Sequence, residues 1–404
     1  MHTLLIIGGA LEAIPGLIKA REMGIRLVVS DQDPDAPGFA FADDTLLAST
    51  YDIEKTVAEA KCYHEQNNPI SGVICIATDV PLTVATVAQE LGLPGIPINS
   101  ARLAMDKLAM KEQFFHDGIP VPWYTAVASY KELENLCREK TFPLVIKPVD
   151  SRGARGVLLL TSGIDLHWAF ETALKFSPTG RVMVERFLPG PQVSTESLVI
   201  EGVTYTPGFS DRNYKHLKEY LPHIIENGGE LPSFLTEDVQ TSVRNTVARA
   251  AKSLGIVNGV VKGDIVVHQD QPYVIELAAR LSGGYFCTHE IPLNTGVDLV
   301  GAAIRQALGD PINPVDLKPK YQRPVAQRYL FPSPGVVTSV QGLDRLAGQP
   351  EVAYLEVRVK PGDYIGPVDS HPARAGVVIT TGETCEAAVD LAEHVVNNVL
   401  INTE

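Results

Sequence analysis

Residues 255–284 read GIVNGVVKGDIVVHQDQPYVIELAARLSGG, and this stretch decides the fold of the chain. Two runs rich in β-branched residues flank the polar segment 268–272, a pattern that predicts a β-hairpin. A turn centred on Asp270 would place Asp264 opposite Glu276, with their side chains about 5 Å apart. Two carboxylates at that distance repel each other unless a cation or a proton lies between them. The hairpin is therefore either a cation-binding pair of acids or an exposed hairpin with two solvated acids.

The chemistry of the ligands indicates which cation such a pair would hold. Carboxylate oxygens favour Mg²⁺, whose coordination is usually completed by the phosphate oxygens of a substrate. Mn²⁺ accepts the same ligands. Asp264 and Glu276 are therefore the candidate metal ligands of this sequence.

The composition is that of a globular enzyme. The 404 residues are too many for one simple core, so two or three packed units are expected. A formal net charge of −14 argues against binding to nucleic acid or to an anionic membrane. The five cysteines are scattered without CxxC spacing, which indicates a reduced, cytoplasmic setting rather than disulfides or a zinc site. We expect neither a signal peptide nor a membrane span.

Three units are predicted along the chain, with α/β and α+β character overall. Residues 1–100 open with a strand–helix–strand pattern that predicts an α/β domain. Residues 101–310 begin with one helix over 101–116 and include an amphipathic helix over 236–254, which Thr236 would cap. A proline-bearing linker then leads to a small α/β unit over 311–404.

Two glycine-bearing loops are candidates for binding phosphate. The first, GGALEAIPG at residues 8–16, is followed by Asp31 at the end of a strand, which would suit a nicotinamide dinucleotide. Its spacing is not GxGxxG, and Glu12 would repel a pyrophosphate, so a tight turn explains the glycines equally well. The second loop, KPVDSRGARG, begins at Lys147 and joins two predicted strands. Gly153 and Gly156 allow close approach to phosphate oxygens, so this loop is either a mobile lid over a nucleotide or a basic surface hairpin.

The motifs around the second loop follow a recognisable order. Asp106-Lys107 precedes the loop, the segment ERFL at residues 185–188 follows it, and the acid hairpin with Glu276-x-x-x-Arg280 comes last. This order resembles the ATP-grasp superfamily, and within it the carboxylate–amine ligases. The resemblance covers about residues 100–305. It implies a pre-ATP-grasp domain, an ATP-grasp domain with a mobile lid over about 140–190, and a small C-terminal domain.

The resemblance also implies roles for individual residues. Lys107 and Lys147 would hold the phosphates of ATP, the loop of Gly153 and Gly156 would close over them, and Gln192 would contact the ribose. The hinge that reads adenine would consist of Glu185, Arg186, Phe187 and Leu188. Asp264 and Glu276 would bind one or two Mg²⁺ ions, and Arg280 would stabilise the transferred phosphoryl group.

This sequence departs from the superfamily pattern at two positions. Ala278 stands where many members have a metal-binding asparagine, so a second Mg²⁺ is in doubt. Gly284 stands where biotin carboxylases have a glutamate, which argues against carboxylation. The segment Arg280-Leu-Ser282-Gly283-Gly284 instead resembles amino-acid ligases, whose backbone N–H groups could receive an acyl phosphate or a carboxylate. The alternative for this segment is the start of a helix.

The resemblance implies ligation of a small-molecule carboxylate to an amine through an acyl phosphate, with ATP converted to ADP and phosphate. The acceptor side is predicted in the loop 208–232, and Arg328 is a further candidate catalytic residue. Three alternatives stay open: a purine-biosynthesis-type ligase acting on a phosphoribosyl amine or aminoimidazole ribotide, an NAD(P)-binding oxidoreductase, and a non-catalytic nucleotide-binding protein. A homodimer is expected by analogy. The acceptor candidates within the loop are Asp211, Arg212, Lys215, His216 and His223.

Overall fold

The computed structural model describes residues 2–66 and 69–404. The N-terminal part is a four-stranded sheet in the order β3-β2-β1-β4, in which every pairing is parallel. Helices cover this sheet, as the strand–helix–strand pattern predicts. Its elements are β1 Thr3–Ile7, α1 Ile14–Glu22, β2 Arg26–Asp31, β3 Asp44–Leu47, α2 Ile53–Gln66, β4 Gly72–Ile74, α3 Pro81–Glu90 and α4 Ile98–Met105.

The next part contains a small antiparallel sheet with its own core. Its strands lie in the order β5-β8-β6-β7, and the side chains of Leu133, Leu144 and Phe170 are buried between the sheet and two helices. This unit begins at Tyr124, before the lid predicted from residue 140. Its elements, with the helix that precedes them, are α5 Lys107–His116, β5 Tyr124–Val127, α6 Tyr130–Glu139, β6 Leu144–Pro148, β7 Leu158–Leu160, α7 Leu166–Lys175 and β8 Val182–Arg186.

The acid hairpin belongs to the next stretch of chain, which contributes strands to a larger sheet. Its elements are β9 Gln192–Ile200, β10 Val203–Arg212, α8 Leu217–Tyr220, β11 Gly229–Leu231, α9 Glu237–Ser253, β12 Gly259–His268, β13 Gln271–Ala278, α10 Ile291–Thr295 and α11 Leu299–Ala307. The C-terminal elements are β14 Val325–Leu330, β15 Gly335–Gln341, α12 Leu343–Ala347, β16 Val352–Val357, β17 Tyr364–Ile365, β18 Gly376–Thr381, α13 Cys385–Asn398 and β19 Leu400–Thr403.

One eight-stranded sheet runs across the predicted boundary at residue 311. Its order is β13-β12-β9-β10-β11-β14-β18-β16, and Leu231 of β11 pairs with Val325 of β14. The C-terminal unit therefore continues the central sheet, although it also has a core of its own around Leu346 and Val395. A second core joins Leu17 of the N-terminal part to residues from both other parts, such as Tyr329. The second and third predicted units therefore share a sheet, and all three units contribute to one core.

The hairpin of β12 and β13 pairs the two acids as predicted, but its turn differs from the predicted one. His268 pairs with Gln271, so the turn has two central residues, Gln269 and Asp270, with φ of 52° and 60°. This turn alone would shift the pairing by one residue. The register slips between Asp264 and Ile265, however, and this bulge restores Asp264 opposite Glu276. The prediction that the two acids oppose each other is confirmed.

The helix predicted over 101–116 is two helices, α4 and α5, which are separated at Asp106. The backbone of Asp106 is extended, with φ of −118° and ψ of 104°, and its carboxylate accepts the N–H groups of Leu108 and Ala109. Asp106 thus caps α5 instead of continuing α4. The predicted cap of α9 is wrong in detail, because the Thr236 side chain makes no capping hydrogen bond. No helix among the described residues has the length and apolar character that crossing a membrane requires.

Candidate active site

A cavity of about 910 Å³ lies where the three parts of the chain meet. Its floor is the hairpin, because Lys262 and Asp264 of β12 and Glu276 and Ala278 of β13 all point into it. These positions alternate along each strand and so share one face. Most of the site residues predicted from the sequence line this cavity: Lys107, Gly153, Glu185, Arg186, Phe187, Gln192, Asp264, Glu276, Arg280, Ser282, Gly283 and Gly284.

The two opposed acids are each held by basic side chains. Asp264 lies 2.8 Å from Nη1 of Arg212 and also contacts Lys262. Burial alone would raise the pKa of Asp264, but these two charges outweigh burial and lower it well below its usual range. Glu276 lies 3.2 Å from Nζ of Lys107. Both carboxylates therefore lie beside basic side chains in the lining of the cavity.

The donor set of the floor fits a magnesium ion that is shared with phosphates. Asp264 and Glu276 supply hard oxygen ligands from neighbouring strands, and Lys107 stands beside them. In the described part of the chain, no group of three or more His, Cys, Asp or Glu side chains is arranged to hold a metal by itself. A metal here would need oxygens from a substrate. Ala278 lines the same floor and offers no ligand.

Arg280 is held by an acid that the sequence analysis did not single out. Its Nε lies 3.5 Å from Oδ1 of Asp79, a residue after β4, and has no hydrogen-bond partner among the described residues. Burial would raise the pKa of Asp79, but Arg280 and Arg152 outweigh it and lower that pKa. Asp79 follows the carboxyl end of a parallel strand, where α/β proteins place their sites. This position just after a predicted strand was the sequence feature from which Asp79 could have been identified.

The glycine loop is closed over the cavity. Arg152 lies 3.5 Å from Oδ2 of Asp79, and its guanidinium stacks over the ring of Tyr51 at 4.6 Å. The carbonyl of Gly153 accepts the N–H of His371 from the C-terminal part at 3.0 Å. Gly156 does not line the cavity. It has φ of 70°, and a Cβ there would come within 3.1 Å of Phe176, so this glycine serves the packing of the loop.

Two lysines that do not line the cavity share one glutamate, Glu185, which does. Glu185 lies 2.6 Å from Lys147 and 3.0 Å from Lys111, and all three side chains are buried. Lys147 does not line the cavity in this arrangement. Burial lowers the pKa of Lys111 to about 8, although Glu185 partly opposes this effect. The sequence analysis did not identify Lys111, because in the sequence it is one charged residue among others of a predicted helix.

The Ser282-Gly283-Gly284 segment already binds a carboxylate of the chain itself. The N–H of Gly284 donates to Oε2 of Glu12 at 2.7 Å, and Arg358 donates to Oε1 at 2.9 Å. The Oγ of Ser282 accepts the N–H of Cys287, in the helical turn Phe286–Glu290. The segment thus leads into that turn, which begins only at Phe286, after Gly284. Glu12 thus connects the N-terminal part of the chain to Gly284 of the middle part and Arg358 of the C-terminal part.

Several other candidates lie away from the cavity lining. Leu188 does not line it, and Arg328 is buried between Glu230 at 2.5 Å and Glu393 at 3.3 Å. Among the five acceptor candidates, only Arg212 lines the cavity. The others have partners elsewhere: Asp211 accepts from Ser233 and Phe234, Lys215 pairs with Glu393, His216 pairs with Glu219, and His223 lies edge-on to Trp168.

Comparisons with known proteins agree with this geometry. Residues 104–284 match the family described as ATP-grasp domain, and residues 328–404 match the family described as L-amino acid ligase C-terminal domain 2. A D-alanine–D-alanine ligase of Gloeobacter violaceus is 30% identical over 200 residues, which cover 46% of this chain and 63% of that ligase. The chain spans less than two thirds of the length of this relative.

Solved structures share the fold over the full length. The L-amino acid ligase of Bacillus licheniformis has a TM-score of 0.85 at 20% identity, covering 100% of this chain and 99% of that one. The phosphoribosylglycinamide synthetase of Anaerococcus prevotii has a TM-score of 0.76 at 18% identity, with 100% of both chains covered. The chain therefore carries an ATP-grasp domain, whose acids, lysine and arginine line one cavity, followed by an L-amino acid ligase C-terminal domain.

Proposed function

We propose that this chain joins a small-molecule carboxylate to an amine, forming an amide or peptide bond through an acyl phosphate while ATP gives ADP and phosphate. The observation that supports it best is the floor of the cavity. Asp264 and Glu276 oppose each other there, with Lys107 at 3.2 Å from Glu276 and Arg280 lining the same space. Phosphoryl transfer needs positioning and neutralisation of charge, which these side chains supply.

Each residue of the floor has a defined part in this proposal. Asp264 and Glu276 would hold Mg²⁺, which supplies charge neutralisation on the phosphates when it is bound. Lys107 would neutralise a phosphate oxygen, and its Nζ is positioned by the Ser151 carbonyl at 2.8 Å. Arg280 would stabilise the negative charge that develops on the transferred group, because its guanidinium is a fixed positive charge in the lining of the same cavity. Gln192, bonded to Tyr214 at 3.1 Å, remains a candidate ribose contact.

The position of Lys147 requires a rearrangement in this proposal. Lys147 does not line the cavity and its Nζ is paired with Glu185, so it would have to leave that carboxylate to reach a phosphate. Lys111 could then keep Glu185 neutralised, because it lies 3.0 Å from the other carboxylate oxygen. Because Lys111 also contacts Glu185, Lys147 can move away from this carboxylate without leaving it unpaired. Lys107 needs no such movement.

A second candidate is a ligase that acts on a phosphoribosyl amine or aminoimidazole ribotide. Its substrate carries a phosphate, and Arg358 and Arg374 line the cavity. Both arginines are engaged, however: Arg358 with Glu12 and Glu356, and Arg374 with Glu226 at 3.6 Å. A free basic cluster for phosphate is thus not formed by these two residues. The amide-forming ligase is the better supported candidate.

The proposed function is tested by a screen for ADP release that pairs carboxylates with amines, including amino acids and ribotides. We expect ADP release that needs Mg²⁺ and both substrates.

Glu276→Gln should lower this turnover by about 100-fold or more, because a metal ligand and the partner of Lys107 are lost together. Glu134→Gln, which changes a half-buried acid paired with Arg138 outside the cavity lining, is the matched control. Undiminished turnover in Glu276→Gln would overturn the metal assignment. Release that requires a ribotide would favour the second candidate.

A further inference from the structure

Glu290 is a buried acid of the cavity that the proposed reaction does not use. It ends the helical turn Phe286–Glu290, which follows Tyr285 in a left-handed conformation with φ of 64°. Its side chain lines the cavity while the residue is only 2% exposed. The one hydrogen bond that reaches its carboxylate comes from Oγ of Ser210 at 3.3 Å, among the residues that the structure describes.

The other enclosed acids of the cavity are neutralised. Each has a lysine or arginine within 4.0 Å: Glu12 with Arg358, Asp79 with Arg280, Glu185 with Lys147, Glu226 with Arg212, Asp264 with Arg212, and Glu276 with Lys107. Asp31 is half-buried and accepts the N–H groups of Gly9 and Asp33, and Asp33 is exposed. Glu290 has no basic partner within that distance in residues 2–66 and 69–404.

A buried carboxylate without a counter-charge is costly, and it gains most from a ligand that brings one. Burial, together with the nearby Glu226 carboxylate, raises the pKa of Glu290 to about 8. A divalent metal is a poor match, because Glu226 is already bound to Arg212 and Arg374, which leaves a single carboxylate. A primary ammonium group carries one charge and three N–H donors, and it suits one carboxylate beside one hydroxyl.

We propose that Glu290 and Ser210 form the subsite for the ammonium group of a substrate. This inference rests on the proposed function, since a carboxylate–amine ligase must take up an amine. It adds a specificity-determining residue: the enzyme should select a primary amine over the corresponding alcohol at this end of the cavity. Glu290 lies on an element separate from the acid hairpin, so its role can be tested without disturbing the metal pair.

The test compares binding of amines and their hydroxy counterparts by calorimetry without nucleotide. The probes are amino acids with their α-hydroxy acids, and simple primary amines with the matching alcohols. For the wild-type chain we expect at least one amine to bind about tenfold or more tightly than its counterpart. In Glu290→Gln, which keeps the size and a hydrogen-bonding partner for Ser210, this preference should disappear. Glu134→Gln is the control and should keep it.

Two outcomes overturn the proposal: a wild-type chain that shows no preference for any amine, and a preference that persists in Glu290→Gln. The comparison of amines with their hydroxy counterparts in the wild-type chain tests the proposal even if the variant does not fold. Binding is measured apart from turnover, so the two proposals fail separately. Absence of ADP release with every pair would reject the proposed function, whereas amine-dependent release with an unchanged amine KM in Glu290→Gln would reject only the ammonium subsite.

Discussion

At the scale of single residues, Asp79 contacts both the glycine loop and Arg280 in the lining of the cavity. Its two carboxylate oxygens face Arg152 of the loop and Arg280 of the floor, each at 3.5 Å. Asp79→Asn would leave two arginines without their counter-charge, so we expect kcat/KM for ATP to fall by about 10- to 100-fold. Steady-state ADP release measures this, and Glu54→Gln, an exposed acid of the same N-terminal part, is the control. An unchanged kcat/KM would show that Asp79 does not position these arginines.

Glu290 also predicts how stability depends on pH. Its pKa rises to about 8 in the folded chain, from an ordinary value of 4.5. A carboxyl whose folded pKa is raised binds its proton more tightly when folded, so its contribution is fully present below pH 4.5 and is lost as pH rises to about 8. The charged groups that act on it are Glu226, which raises the pKa, and Arg328, which lowers it.

The Glu290→Gln variant has no carboxyl group to ionise at this position, so it should not lose this stability as pH rises. Relative to the wild type, we expect the variant to gain stability between pH 5 and pH 8, by on the order of a few kcal/mol. Urea unfolding at both pH values measures the difference. Equal pH dependence of the two chains would mean that Glu290 titrates normally.

At the scale of elements, the turn of the acid hairpin is suboptimal. Gln269 and Asp270 both have positive φ, of 52° and 60°, as a type I′ turn requires. Replacing them with Asn and Gly should stabilise the chain by about 0.5–1 kcal/mol, since these residues adopt that conformation at lower cost. Thermal unfolding would show the gain, and ADP release should not change because neither residue lines the cavity. A loss of stability would indicate that the Asp270 side chain contributes more than its backbone costs.

The same hairpin shows what the sequence could predict and what it could not. The β-branched runs around a polar segment predicted the hairpin, and an assumed turn centred on Asp270 placed Asp264 opposite Glu276, as they are in the structure. A two-residue turn compensated by a bulge was not foreseen, because a bulge leaves no clear mark in one sequence. The partners of Arg280 and Gly284 were also hidden, since Asp79 and Glu12 lie about 200 or more residues away along the chain. Motif order located the site, but long-range ion pairs decided its details.

At the scale of the whole molecule, the C-terminal part completes the fold. Strand β14 covers the edge of β11 through Leu231 and Val325, and Tyr329 and Val377 belong to the core that contains Leu17. A chain that ends after residue 310 would expose that edge and that core. We expect it to aggregate instead of forming an ATP-binding unit, because open edges and uncovered apolar faces promote association.

The matched control for this truncation is a chain that ends after Val399, which belongs to the C-terminal core. It loses β19 and Glu404, and because β19 pairs with β15 in a separate three-stranded sheet, the chain should remain monodisperse with the wild-type affinity for ATP. Size-exclusion chromatography and nucleotide binding compare the two truncations. A soluble 1–310 fragment that binds ATP would mean that the central sheet is stable without β14, β16 and β18. The shared core would then serve to position Arg358 and Arg374 at the cavity, and its loss should weaken substrate binding more than ATP binding.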